Sequence, residues 1–70
     1  MKLEYDPQAD AIYIRLKDSE IATTREVEDN LIIDLDSAGK MVGIELLFVS
    51  DYLDPDDMSS FTISNLRATA

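Results

Sequence analysis

No cysteine, histidine or tryptophan occurs in the chain's 70 residues, and glycine and proline appear only twice each. Without cysteine there can be no disulfide, thiolate zinc cluster or cysteine nucleophile; without histidine the commonest general base and the other favoured zinc ligand are missing as well. An ordinary zinc site and a Ser–His triad are thereby excluded. Basic residues are scarce: Lys2, Arg15, Lys17, Arg25, Lys40 and Arg67 are scattered among 15 acidic residues, and the formal net charge is −9. A field of that sign repels phosphate backbones and steers basic partners inward, so nucleic-acid binding is not expected. No run approaches the ~18 apolar residues of a membrane span, and no basic segment followed by an apolar one stands behind Met1. A cytoplasmic protein without membrane contact is expected.

Apolar residues make up 46% of the chain and charged ones 30%, a balance that suits a folded globule rather than disorder. Residues 1–70 read as a single small domain. A core of this size rarely supplies more than roughly 3–5 kcal/mol, so self-association, most simply as a homodimer, is expected.

Period-two alternation dominates the first forty-eight residues. Leu3 and Tyr5 share one face of a first strand; Asp6-Pro7-Gln8-Ala9-Asp10 is a hairpin connection in which aspartate bonds the backbone ahead. In Ala11–Leu16, Ile12, Ile14 and Leu16 oppose Ala11, Tyr13 and Arg15. Ile21–Glu28 reads as a charged edge strand, and Asp29-Asn30 as a two-residue turn tolerant of left-handed geometry. Leu31–Asp36 then turns through Asp36-Ser37-Ala38-Gly39 into Met41–Phe48, whose Val42, Ile44, Leu46 and Phe48 form one stripe. Gly43, inside that strand, marks a bulge or a close backbone approach. Beyond it, a short helical turn near Ser50 and a strand over Ser59–Ser64 are expected; a helix from Asp54-Pro55 to about Leu66 competes with that strand, and Arg67–Ala70 reads as a frayed end. The fold class is α+β, mainly β: a small antiparallel meander of four to five strands with at most one short helix.

Two motifs, Tyr5-Asp6 with Asp10 and Tyr13-Ile14-Arg15-Leu16, then Asp34, Asp36, Gly39 and Val42-Gly43-Ile44-Glu45-Leu46-Leu47, resemble the bacterial and archaeal domain-of-unknown-function family numbered 2283 over roughly residues 2–48. The resemblance implies a small, acidic, cytoplasmic and predominantly β protein with no established enzymatic activity. Some members resemble antitoxins encoded beside small toxin-like proteins.

Two carboxylate groupings stand out. Asp34, Asp36, Gly39 and Glu45 fit positions of a calcium-loop template, but Ala38 occupies a required ligand position and the flanks are β-rich where that motif needs helices. Alternation instead leaves Asp34 and Asp36 solvated near a hairpin turn. Asp51, Asp54, Asp56 and Asp57 suit turn and cap chemistry, with contact to a basic protein as the functional alternative. Tyr5, Tyr13 and Tyr52 read as half-buried packing groups. No motif names a catalytic mechanism, and no cofactor or metal is implied. The expectation is a non-catalytic protein-binding module, antitoxin-like, that neutralises a small basic partner through Asp34, Asp36, Glu45, Asp54, Asp56 and Asp57. A homodimeric assembly protein is the alternative. A small enzyme or ligand carrier is the third reading, and it would need a deep pocket lined by Tyr13, Glu45 and Asp10.

Overall fold

Local turn chemistry builds most of the architecture, which a computed structural model describes over residues 1–67. Asp6 Oδ1 accepts hydrogen bonds from the N–H groups of Gln8 (3.0 Å) and Ala9 (3.2 Å), and this turn reverses β1 (Lys2–Asp6) into β2 (Ala11–Arg15). Asp29 and Asn30 join β3 (Thr23–Glu28) to β4 (Leu31–Leu35). Asp36 Oδ1 accepts from the N–H groups of Ala38 (3.0 Å) and Lys40 (2.9 Å) in the turn from β4 to β5 (Met41–Leu47), where Gly39 holds φ at 79°. A Cβ is disfavoured at that φ, which is why glycine stands there.

Every pairing is antiparallel and the order across the sheet is β1-β2-β5-β4-β3. The β1–β2 hairpin and the β3–β4–β5 unit are thus joined through β2 and β5, with β5 central. This is the mainly β antiparallel fold expected, as one open five-stranded sheet. Among the described residues the single helical piece is a 3₁₀ turn, Val49–Asp51, where a short turn was expected. No described helix is long and apolar enough to cross a membrane.

Register separates two faces. Leu3, Ile14, Ile44 and Ile33 align across β1, β2, β5 and β4, with Tyr5, Ile12, Leu46 and Leu31 in the adjoining row. On the opposite face Glu4, Tyr13, Glu45, Ile32 and Glu26 form a row through all five strands. Val42 and Val49 are fully buried and Ala11 and Ile12 nearly so. The segment after the 3₁₀ turn comes against the β1–β2 end of the apolar face. There Leu53, Met58 and Phe61 meet Leu3, Tyr5 and Ile12 around a cavity of about 270 Å³.

Two local expectations are corrected, the reach of the β5 stripe and the strand over Ser59–Ser64, and two are met with added detail. Phe48 does not extend the β5 stripe; it adopts left-handed φ of 55°, ends the strand and is exposed. Asp29 and Asn30 form the two-residue turn expected, without positive φ, and a register shift lies beside it between Glu26 and Glu28. Beside Gly43 the register shifts between Asp34 and Leu35, which meets the bulge reading, and the group that approaches the glycine is the Tyr13 side chain. Ser59–Ser64 forms no strand. The turn at Asp54–Ser59, closed by hydrogen bonds from Asp57 N–H to Asp54 O (2.9 Å) and Met58 N–H to Pro55 O (3.2 Å), leads the chain over the sheet face. There it has no ladder neighbour. The competing helix to Leu66 is absent too. Of the frayed end expected at Arg67–Ala70, all but Arg67 lies outside the described residues.

Candidate functional site

The polar face is organised by Tyr13. Cross-strand register sets Tyr13 between Glu4 and Glu45, and the absence of a side chain at Gly43 lets its ring lie across β5. A Cβ at Gly43 would stand 2.6 Å from Tyr13 Cζ, well inside contact distance. The phenol reaches over that gap and donates to Asp34 Oδ2 (2.7 Å), while Thr24 Oγ1 donates to Asp34 Oδ1 (2.7 Å). One carboxylate thus receives hydroxyl donors from both sides and ties β2 and β3 to β4. Partial burial raises the Tyr13 pKa above its usual value, and the hydrogen bond to Asp34 and that carboxylate's charge add to the effect; Arg15 opposes it.

Beside the Tyr13 ring lies a depression of about 260 Å³, bordered by Glu4, Asp6, Ala9, Ala11, Tyr13 and Glu45. It is open to solvent. Asp10, the third residue that the ligand-carrier reading requires, does not border it. Instead, Asp10 takes left-handed φ of 55° and accepts from Ser50 N–H (3.0 Å) and Ser50 Oγ (2.7 Å), while its carbonyl accepts from Val49 N–H (3.1 Å). It clamps the 3₁₀ turn to the β1–β2 hairpin.

The six candidate contact carboxylates are dispersed. Asp34 and Glu45 share the polar face, as alternation predicts, but Asp34 is half-buried and bonded rather than freely solvated. Asp36 is likewise engaged: Lys17 Nζ donates to its Oδ2 (2.6 Å) and two backbone N–H groups to its Oδ1. Those contacts hold its carboxyl below the usual range, the Lys17 hydrogen bond contributing most. Asp54, Asp56 and Asp57 belong to the turn that starts the crossing of the apolar face, and Asp57 Oδ2 accepts from Asp54 N–H (2.8 Å). That is the turn chemistry proposed for them. Glu45 stands opposite Ile32 in mid-strand, so the chain does not wrap into a calcium loop. Among the described residues no group of acidic side chains is placed to hold a metal ion.

Glu4 and Glu26 were not singled out by sequence, yet the sheet aligns them with Glu45. For Glu26 the signal was present, since the β3–β4 and β4–β5 hairpins set it in line with Ile32 and Glu45. For Glu4 it was not, because its row reaches Glu45 through the β2–β5 junction, which no turn encodes.

No curated protein and no solved structure matches the chain. Residues 2–50 match the family model described as "Protein of unknown function (DUF2283)". That span holds all five strands, the Tyr13–Gly43–Asp34 arrangement and both partners of the Asp10–Ser50 clamp. The chain belongs to the DUF2283 family.

Proposed function

We propose that the protein is a non-catalytic binding module whose polar face receives a basic protein partner. The observation that carries this reading is the row of Glu4, Glu45 and Glu26 across the sheet, with Tyr13 between two of the carboxylates. The exposed Glu4 and Glu26 and the half-buried Glu45 steer a basic partner and fix its orientation, while a partly exposed tyrosine supplies rigid contact area at the centre. Asp34 holds the Tyr13 hydroxyl, so the central side chain is ordered before the partner arrives. Sequestration of a basic protein in this way is a neutralising, antitoxin-like role, in keeping with the acidic balance of the chain and the family resemblance. A cytoplasmic setting belongs to the same proposal.

The test is affinity copurification from the native host at low and high salt, with mass spectrometry of whatever is stoichiometric. A small basic protein is expected at low salt, lost at high salt and lost in the E4Q/E26Q/E45Q variant. Recovery of the bait alone, or capture indifferent to those three substitutions, overturns the reading.

A further inference from the structure

The apolar face is covered at one end and bare at the other. Leu53, Met58 and Phe61 lie against the β1–β2 half, whereas all of β3 is exposed and Leu31, Ile33 and Leu35 on β4 are only half-buried. On the segment that follows Met58, Phe61, Ile63 and Leu66 are 57%, 61% and 92% exposed. A half-covered apolar surface at the β4–β3 end and a largely exposed Phe61 at the β1–β2 end therefore share one face.

Charge is mixed at the bare end and acidic at the covered one. Arg25, opposite Ile33, lies on the bare half with Glu28, opposite Leu31, and Arg25 makes no ion pair among the described residues. At the covered end Asp54 and Asp56 project from the turn with exposed side chains. We infer that a second copy of this chain covers the bare half, packed face to face about a two-fold axis that runs along the central strand β5.

Topology selects this axis. In the order β1-β2-β5-β4-β3, rotation about β5 lays the tail-covered β1–β2 half of each copy over the bare β4–β3 half of the other. Phe61 and Ile63 then meet Leu31, Ile33 and Val27 of the second copy, and Arg25 meets the Asp54–Asp56 turn, twice by symmetry. An axis across the strands would set Arg25 against Arg25 and leave both bare halves unfilled. The polar rows with Glu4, Glu26 and Glu45 face outward on both sides, which keeps the two strongly acidic surfaces apart. Five strands at ~4.8 Å spacing and about six residues at ~3.4 Å give a face of roughly 500 Å² in projection. Side-chain relief and the tail residues raise the accessible area toward the ~800 Å² per partner of a standard interface.

The cysteine-free chain permits a direct test. Phe61 borders Leu3 and Tyr5 of edge strand β1, while Val27 lies on the other edge strand, four strand spacings or about 19 Å away, too far for a disulfide within one molecule. Val27→Cys and Phe61→Cys proteins, mixed and oxidised, should yield the mixed cross-linked dimer in preference to either like pair. Light scattering of the unmodified chain should give a dimer mass. Arg25→Glu should weaken the dimer about tenfold, and R25E/D56K should recover most of the loss. A monomer at all concentrations overturns the inference. So does a dimer in which like pairs cross-link preferentially, or one indifferent to both the Arg25 swap and a Phe61→Ser/Ile63→Ser tail. The polar-face proposal stands or falls separately, because none of these residues lies on that face.

Discussion

Gly43 and Tyr13 form one device, and their substitutions should not be additive. A methyl group at Gly43 displaces the Tyr13 ring, so Gly43→Ala should destabilise the fold by about 1–3 kcal/mol in urea denaturation. In a Tyr13→Ser background the same change should be near neutral, because the clashing ring is gone. Equal losses in both backgrounds would point to the backbone instead. Tyr13→Phe removes the donor to Asp34 and should lower stability by about 0.5–1.5 kcal/mol at neutral pH. The two shifted groups act at opposite ends of the pH scale. The Tyr13 pKa is raised by folding, so its contribution is present below pH ~10 and is lost as pH rises through the higher folded value. Tyr13→Phe should therefore flatten the alkaline limb of the stability profile. Folding lowers the Asp36 pKa; its contribution is present above pH ~4 and is lost as pH falls through the folded value. Asp36→Asn should flatten the acid limb and leave the alkaline one unchanged.

Between elements, the decisive joint is the Asp10–Ser50 clamp, which fastens the end of β5 to the β1–β2 hairpin. Asp10→Ala loses two acceptor bonds and places a methyl side chain at φ 55°, for an expected loss of about 1.5–3 kcal/mol. Asp10→Asn tolerates that backbone and keeps an acceptor oxygen, so thermal melting should rank it between Ala and the natural residue. Equal effects of the two would argue against the left-handed strain. The hairpins were legible because their determinants are local: Asp6 bonding forward, Asp36 and Gly39 closing a turn, alternation on either side. The β2–β5 pairing links residues about thirty apart that no single turn joins, and with it the alignment of Glu4 and Tyr13 with Glu45 stayed hidden. Phe61, Thr62, Ile63 and Ser64 alternate like a strand, but alternation reports only that one side of a segment is apolar. Whether a ladder partner lies beside it depends on where the preceding turn directs the chain. Of the candidate carboxylates, Glu45 was read as an available charge and remains so on the polar face. Asp34 and Asp36 carried the same sequence signal, yet tertiary donors engage them.

For the whole molecule, the excess of acid is distributed against the stability of the isolated sheet. Glu4 and Glu45 flank Tyr13 two strands apart, at about 10 Å by strand spacing, and Glu26 continues the line. That distance is comparable to the Debye length at ~0.1 M salt, so the repulsion is felt at low ionic strength and largely screened above it. Lys2 answers Glu4 at 3.4 Å from an exposed position and Arg15 lies 3.8 Å from Asp18, surface pairs each worth at most about 1 kcal/mol. Lys17 is committed to Asp36. Few cations are therefore left to balance the polar row. The thermal midpoint of the free protein should rise as sodium chloride goes from about 0.02 M to about 0.3 M, and the rise should shrink in E4Q/E26Q/E45Q. A midpoint that falls with salt, or rises equally in the variant, would locate the repulsion elsewhere, with the aspartates of the Asp51–Asp57 segment the next carboxylates to neutralise. The same three glutamates that depress stability in isolation are those offered to a basic partner, so partner binding and salt should act in the same direction on stability, with partner binding losing strength as salt rises.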